Sequence, residues 1–392
     1  MKKQIPCLLL SIGFLAAAGA ELVLEDFSRM DGNVWYSFRG GEIRKTPGGA
    51  LVTQPGMVTR NLPGNWRTRP EWNRFNGIAF KVKGSGSADY GTISLLMEAN
   101  QFIWYFPLKN RQWQEFRVHF RDFTVYNGSG MSLENRPGSI LISGLDRIRF
   151  GDRWTIWRNN ANREKTSYEV ADLRLISDAQ PLLPMGKYTP ASFQSFQQKM
   201  RTGKKVSILC LGDSVTAGTG LKQPDGSRYA DLIGKLLREK YGFAGVSTRS
   251  RGVGGAISFD INAWVYRDFG QIPDLVTLMV GYNDKSNGVH PEAFRGILNQ
   301  WIDRVAAVSH GKTAILLITN IPGCGPRYNA QDDYAQVVRE VASRRKLPCL
   351  DMNRIFKQFR PDEIGSRFRD TAHPNEAGHQ IFAENLARLL AE

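Results

Sequence analysis

Between residues 21 and 178, apolar and polar positions alternate. In GIAFKVKG, Ile78, Phe80 and Val82 share one side of the chain, with Lys81 and Lys83 on the other. EFRVHFRDF repeats the arrangement, with Phe116, Val118 and Phe120 set against Arg117, His119 and Arg121. A period of two predicts strands with one buried and one wetted face, because successive side chains of an extended chain point to opposite sides. Clusters of Gly, Pro and Asn between these runs supply the turns. Several such runs with no long helical pattern predict an antiparallel β-sandwich.

After Asp178 the pattern changes. DAQPLLPMGKYTP holds three prolines and breaks the alternation, so residues 179–203 are expected to be a linker and a helix, with Phe193, Phe196 and Met200 at helical spacing. From 204 to 392, apolar runs at 206–211, 275–280, 314–318 and 347–350 alternate with amphipathic stretches. Tyr229, Leu232, Leu236 and Leu237 line one of these, Phe294, Ile297, Leu298, Trp301 and Val305 a second, and Phe382, Leu386 and Leu389 the last. Continuously apolar strands separated by helices predict an α/β fold whose parallel sheet is covered on both faces. Ligands of such folds bind at the carboxyl ends of the strands.

Composition adds location. Lys2 and Lys3, an apolar run from Ile5 to Ala18 and the small-x-small triplet Ala18-Gly19-Ala20 make residues 1–20 a signal peptide cleaved near Ala20, which implies a secreted or periplasmic protein. The apolar run is shorter than the ~20 residues a bilayer crossing needs, so no transmembrane anchor is expected. Cys7 lies inside that run rather than just after it, which does not suit lipid attachment. The formal charge is +15, or +13 once the two leader lysines are gone, and it is spread along the chain. A nucleic-acid binder would concentrate it in a patch, and the only cluster is Arg344-Arg345-Lys346. The diffuse excess suits polyanionic surroundings such as acidic polysaccharide. Behind the leader stand Cys210, Cys324 and Cys349, enough for one bridge but not for a disulfide framework, with Cys210 expected to be a small buried hydrophobe.

The chemistry collects at strand ends. ILCLGDSVTAG places Ser214 where the first apolar run stops. SRGVGG follows a strand near 244–248, GYND follows the run at 275–280, and RDTAHPNEAGH precedes the terminal helix. A serine hydroxyl is a weak nucleophile at neutral pH and needs a base to take its proton. Of five histidines, His373 alone sits on such a loop with an acid three residues before it. Asp370 can hold the imidazole in the tautomer the reaction needs. His379, inside the terminal helix, is expected to pack. Asp213, Asp284 and Asp351 are expected to tie loops by hydrogen bonds. Beyond the Asp370–His373 pair no further histidine or acid stands at ligand spacing, so no metal is expected.

Gly212-Asp213-Ser214, Gly255, Gly281-x-Asn283-Asp284 and Asp370-x-x-His373-Pro374 together resemble the four sequence blocks of the SGNH hydrolase superfamily, the GDSL esterases. One departure is Ser250, where the second block usually begins with Asn. The resemblance spans residues 204–392. It implies an α/β/α sandwich that works without a cofactor, with Ser214 as nucleophile, His373 as base, Asp370 as its orienting acid, and an oxyanion hole made by the Ser214 and Gly255 amides and the Asn283 side chain. In the front half, RQWQEFRVHFRDF, GLDRIRFG and YEVADLRLI resemble strands of galactose-binding-like jelly-roll carbohydrate modules. That likeness implies a sugar-binding sandwich over residues 21–178. Trp104, Trp154 and Trp157 are then either core residues or stacking platforms, and packing is the commoner use of large aromatics.

Together these point to a secreted serine esterase acting through an acyl-enzyme on short esters, with O-acetyl groups of an acetylated polysaccharide as the expected substrate. Alternatives in sequence are a lipid esterase or thioesterase, a polysaccharide O-acetyltransferase using the same residues, and a non-catalytic sugar-binding protein. Intact Ser214, His373 and Asp370 weigh against the last of these.

Overall fold

The computed structural model describes residues 19–392 apart from 39, 55, 63–67, 88–89, 98–99, 126–141, 152–165 and 185. The signal-peptide expectation, except for its last two residues, and Trp154 and Trp157 lie outside the described residues. Among the described residues no helix is long and apolar enough to cross a membrane.

The front half is antiparallel throughout. β1 (Glu21–Glu25), β2 (Trp35–Phe38), β3 (Glu42–Thr46), β4 (Gly49–Gln54), β5 (Met57–Asn61), β6 (Gly77–Lys83), β7 (Tyr90–Met97), β8 (Asn100–Pro107), β9 (Trp113–His119), β10 (Thr124–Val125), β11 (Arg147–Phe150) and β12 (Thr166–Ile176) build two sheets. One runs β3-β4-β12-β6-β9, with β1 also paired to β12, and the other runs β10-β8-β7-β11-β5-β2. Their facing residues fill one core. Ile78, Phe80 and Val82 of β6 meet Ile93 and Leu95 of β7, Trp104 and Phe106 of β8, and Ile148 and Phe150 of β11. Phe80 is central, with ring centres of Trp104, Phe106, Phe116 and Phe150 between 5.3 and 6.3 Å away. Each such aromatic pair adds roughly 0.5–1.5 kcal/mol beyond the area it buries. Trp104 is therefore a core residue.

The rear half holds five parallel strands, β13 (Val206–Gly212), β14 (Val246–Gly252), β15 (Leu275–Met279), β16 (Ala314–Ile318) and β17 (Cys349–Leu350), ordered β14-β13-β15-β16-β17. Alternate residues of β13 enter opposite cores, Leu209 and Leu211 on one face, Ile208 and Cys210 on the other, which is why its sequence shows no polar side. The helices differ from expectation by small rotations. The seam of Tyr229–Glu239 centres on Tyr229, Ile233 and Leu237, with Leu232 and Leu236 at its margin. In the last helix, Glu376–Ala391, Leu390 is buried in the place expected of Leu389. β14 starts at Val246 and runs on through Ser250, because it pairs with β13 along all seven residues from Val206↔Val246 to Gly212↔Gly252. Cys210 is buried, and Cys324 and Cys349 are free thiols, so the one bridge that composition allowed is not formed.

The two halves share apolar contacts. β8 is buried on both sides: Trp104 and Phe106 face the sandwich core, while Ile103 and Tyr105 belong to the core of the rear half. Tyr105 meets Trp264 edge-on at 6.2 Å. Beside this contact Asp122 acts as a polar hub. Its carboxylate accepts from the amides of Leu182 (2.8 Å) and Leu183 (3.2 Å) and from Tyr266 Oη (2.6 Å), and Arg304 donates to its carbonyl at 3.3 Å.

Candidate active site

β13 is followed by β14 on one side and β15 on the other, so its carboxyl end lies at the point where strand order reverses and a crevice opens. There Gly212 leads into Asp213, whose side chain accepts from the Val215 amide at 3.0 Å and caps the four-residue helix Ser214–Ala217. A Cβ at Gly212 would stand 2.1 Å from Thr216 Oγ1 and 2.6 Å from the Met279 carbonyl, so only glycine allows this tight turn. Ser214 thus occupies the first helical position, where its amide has no partner within the helix.

Three side chains named from sequence come together. His373 Nε2 lies 2.9 Å from Ser214 Oγ, and His373 Nδ1 lies 2.9 Å from Asp370 Oδ2. The other Asp370 oxygen accepts from the amides of Ala372 and His373, both at 2.8 Å. The Arg369 amide donates to the His373 carbonyl at 2.8 Å and closes the loop. Burial pushes the Asp370 carboxyl up, but the hydrogen bonds from His373 and the two amides outweigh it and hold the pKa below the usual carboxylate value. An ionised Asp370 beside Nδ1 keeps the proton there and leaves Nε2 free to accept from Ser214.

The strand ends around this group supply hydrogen-bond donors. Ser250, in the place of the usual Asn, donates from Oγ to the Thr216 carbonyl at 2.9 Å and so braces the Ser214 helix. A Cβ at Gly252 would fall 2.1 Å from the Ala217 amide nitrogen, and one at Gly254 would lie 4.0 Å from Ser214 Cβ, so this loop runs close against the serine. Gly255 follows in the left-handed region, φ 78°. Asn283 Nδ2 donates to the Ala256 carbonyl at 3.0 Å, which docks it on the Gly255 loop and leaves its second N–H unspent.

The acids read from sequence as loop ties do make such bonds. Asp284 accepts from the Ser258 amide (3.0 and 3.2 Å) and Oγ (2.5 Å), fixing the start of helix Ser258–Ala263. Burial lifts its pKa to about 7, against the Ser258 bonds and with a smaller push from Asp213. Burial also lifts Asp213 to about 6, opposed by the Val215 amide and His373. Asp351 caps Met352–Phe356 and accepts from Arg339 Nε at 2.8 Å. His379 is fully buried, stacks on Tyr229 and accepts from the Tyr229 amide at 3.2 Å; burial lowers its pKa to about 4. Among the described residues no group of three or more His, Cys, Asp and Glu is placed to hold a metal.

Sequence did not place two neighbours, Arg327 and Cys324, at the site. Arg327 Nη1 donates to Tyr282 Oη at 2.7 Å, and Cys324 Sγ lies 3.3 Å from the Asp370 carbonyl. Tyr282 sits inside the GYND block and could have been noticed there. Cys324 and Arg327 belong to a loop after β16 that only folding brings to the site.

Residues 210–381 match the family described as GDSL-like Lipase/Acylhydrolase. This part of the chain is a GDSL-like acylhydrolase domain. A 96-residue stretch of the chain is 30% identical to a lipoprotein signal peptidase of Synechococcus sp. (strain RCC307), and spans 62% of that relative and 24% of this chain. Among solved structures, the acetylxylan esterase Axe2 of Geobacillus stearothermophilus is 24% identical, with 48% of this chain and 94% of that one covered and a TM-score of 0.40. LAE5, an alpha/beta hydrolase enzyme from the metagenome of Lake Arreo, Spain, is 23% identical over 53% of this chain and 100% of its own, with a TM-score of 0.39.

Proposed function

We propose that the protein is a secreted serine esterase that removes short acyl groups, O-acetyl in the first place, from a polysaccharide. The observation that carries the proposal is the continuous relay Ser214 Oγ, His373 Nε2, His373 Nδ1, Asp370 Oδ2, both links 2.9 Å long, within an acylhydrolase domain.

In the proposed reaction His373 Nε2 takes the hydroxyl proton as Ser214 Oγ bonds to the ester carbon, and Asp370 stabilises the imidazolium. The carbonyl oxygen becomes an oxyanion, toward which the Ser214 and Gly255 amides and the free N–H of Asn283 donate. Removing one such donor commonly costs about 2.7–4 kcal/mol of transition-state stabilisation. The tetrahedral intermediate collapses, the alcohol leaves with the proton from His373, and an acyl-Ser214 remains. Water, deprotonated by the same histidine, then releases the acid.

The polar surroundings favour a small acyl group on a hydrophilic carrier. The Asp370 side chain is about half exposed, and Arg327 and Arg369 beside it are exposed. A lipid esterase would instead need an apolar acyl groove at this mouth. The leader-like first 20 residues support secretion, and the front sandwich, resembling sugar modules, supports a glycan carrier. The test is release of acetate from acetylated glycans, measured beside p-nitrophenyl esters of rising chain length, for the native protein and Ser214→Ala. Preference for long acyl chains, or release that persists in Ser214→Ala, would refute the proposal.

A further inference from the structure

Two arginines on the rim of the Ser214 cleft, Arg327 and Arg369, are exposed, with no carboxylate within ion-pair distance among the described residues. Arg327 ends the short turn Gly325–Arg327, and its guanidinium is held by Tyr282, with Nη1 2.7 Å from the hydroxyl and the charge 5.9 Å from the ring centre. Tyr282 directly precedes Asn283, so this guanidinium is anchored to the backbone that carries an oxyanion donor. The loop that carries Arg327 docks on the catalytic loop, where the Cys324 amide donates to the Thr371 carbonyl at 3.0 Å, and in that loop Arg369 directly precedes Asp370. A Cβ built on Gly220 would lie 3.4 Å from Arg369 Cβ and Cγ and equally 3.4 Å from His373 Cβ, so Arg369 stems from the same surface as the base. The nearest acid, Asp370, already uses its carboxylate on His373 and two amides.

One N–H of Arg327 goes to Tyr282, and among the described residues no other acceptor takes the rest of the guanidinium's five donors. A planar fork held in place loses little freedom when it meets a two-oxygen anion, and carboxylates are bound in this bidentate way. The net positive charge of the chain draws such a ligand in. We infer that Arg327, positioned by Tyr282, and Arg369 bind a carboxylate on the substrate next to the scissile ester, so that the glycan taken is an acylated uronate-bearing polymer. The inference rests on the esterase reading of the same cleft and narrows its substrate class.

The test separates the two. Full-length Ser214→Ala protein, in which turnover is blocked, is titrated calorimetrically with an oligouronate, a neutral xylo-oligosaccharide and a sulfated oligosaccharide of equal length. The oligouronate should bind at least tenfold tighter than the neutral chain and weaken as salt rises. Adding Arg327→Ala or Arg369→Ala should cost about tenfold on the oligouronate, Arg327→Lys less, and Tyr282→Phe a few-fold. Equal affinity for charged and neutral chains, or unaltered oligouronate affinity in both alanine variants with unchanged melting curves, overturns the inference. Tighter binding of the sulfated chain than of the oligouronate overturns the carboxylate assignment. In parallel, the Ser214 protein is assayed on p-nitrophenyl acetate. Selective oligouronate binding without hydrolysis would sink the esterase proposal and leave the anion site standing, and hydrolysis without selectivity would do the reverse.

Discussion

Replacing Asp284 by Asn should change how stability depends on pH. The Asp284 carboxyl is fully buried, and its pKa is lifted from 3.8 to about 7. A carboxyl whose folded pKa lies above its unfolded value binds its proton more tightly in the folded protein, so its favourable contribution is complete below about pH 4 and is lost as pH rises through about 7. At 1.36 kcal/mol for each pKa unit, the loss across that window is about 4 kcal/mol. His379 slopes the other way, since its lowered pKa of about 4 makes stability fall as pH drops from the ordinary imidazole range toward 4. The wild-type profile is therefore a sum of opposing slopes, and only a comparison with a variant isolates Asp284. Asparagine has the same shape and does not titrate. Its Oδ1 can accept from the Ser258 amide while Nδ2 donates to Ser258 Oγ. Urea unfolding at half-unit steps from pH 4 to 8 should show that the difference in unfolding free energy, variant minus wild type, rises with pH by about 2–4 kcal/mol and levels off above pH 7. Parallel profiles for the two proteins would refute the assignment of the buried proton to Asp284.

Ser214→Ala and His373→Ala should abolish ester hydrolysis with the fold intact, and Asp370→Asn should cost somewhat less, because the aspartate orients rather than reacts; full activity in Asp370→Asn together with a dead Asp362→Asn would show the acid to be misassigned. Asn283→Ala should lower kcat by about a hundred- to a thousandfold with a small change in KM, as expected of a donor that acts in the transition state, and a change confined to KM would make it a substrate-positioning residue. Tyr105→Ala, although in the sandwich, should destabilise the hydrolase half by about 3 kcal/mol because it empties space against Trp264; denaturation followed by Trp fluorescence and by esterase activity should shift together, and a shift in fluorescence alone would argue against the shared core. Deleting residues 21–178 uncovers Trp264, so turnover of p-nitrophenyl acetate should fall along with turnover of polymer, and an intact small-ester rate would show that the halves fold separately.

Much of this fold is written locally. GIAFKVKG alternates because one face of β6 is buried against Phe106 and Phe150, and the run through Ile208 and Leu211 is apolar throughout because β13 has a core on each side. The Ser214 relay was legible because Ser214 follows the end of β13 and Asp370 and His373 stand three residues apart on the one loop before the last helix. FIWYF, by contrast, holds five apolar residues in succession inside an otherwise alternating half, which signals burial on both faces; what covers Ile103 and Tyr105 is a helix more than 150 residues away, and no local pattern names it. The helix seams shifted by one position because Leu232 and Ile233, or Leu389 and Leu390, are equally apolar neighbours, and only packing decides which points inward. Arg327 gave no signal, since an arginine in a polar loop is ordinary until the loop folds over Tyr282.

The burial of β8 on both faces has a mechanical consequence. A binding module hung on a flexible tether raises local substrate concentration but lets every ester along a chain reach the serine in turn. Here Tyr105 against Trp264, with Asp122 clamped by Tyr266 and by the Leu182 and Leu183 amides, removes the hinge. A glycan gripped by the sandwich would meet Ser214 in one register, as an object meets the second jaw of a caliper. Such an enzyme would deacylate at intervals fixed by the jaw spacing, and the pattern of remaining esters along a digested polymer would carry that spacing as a repeat.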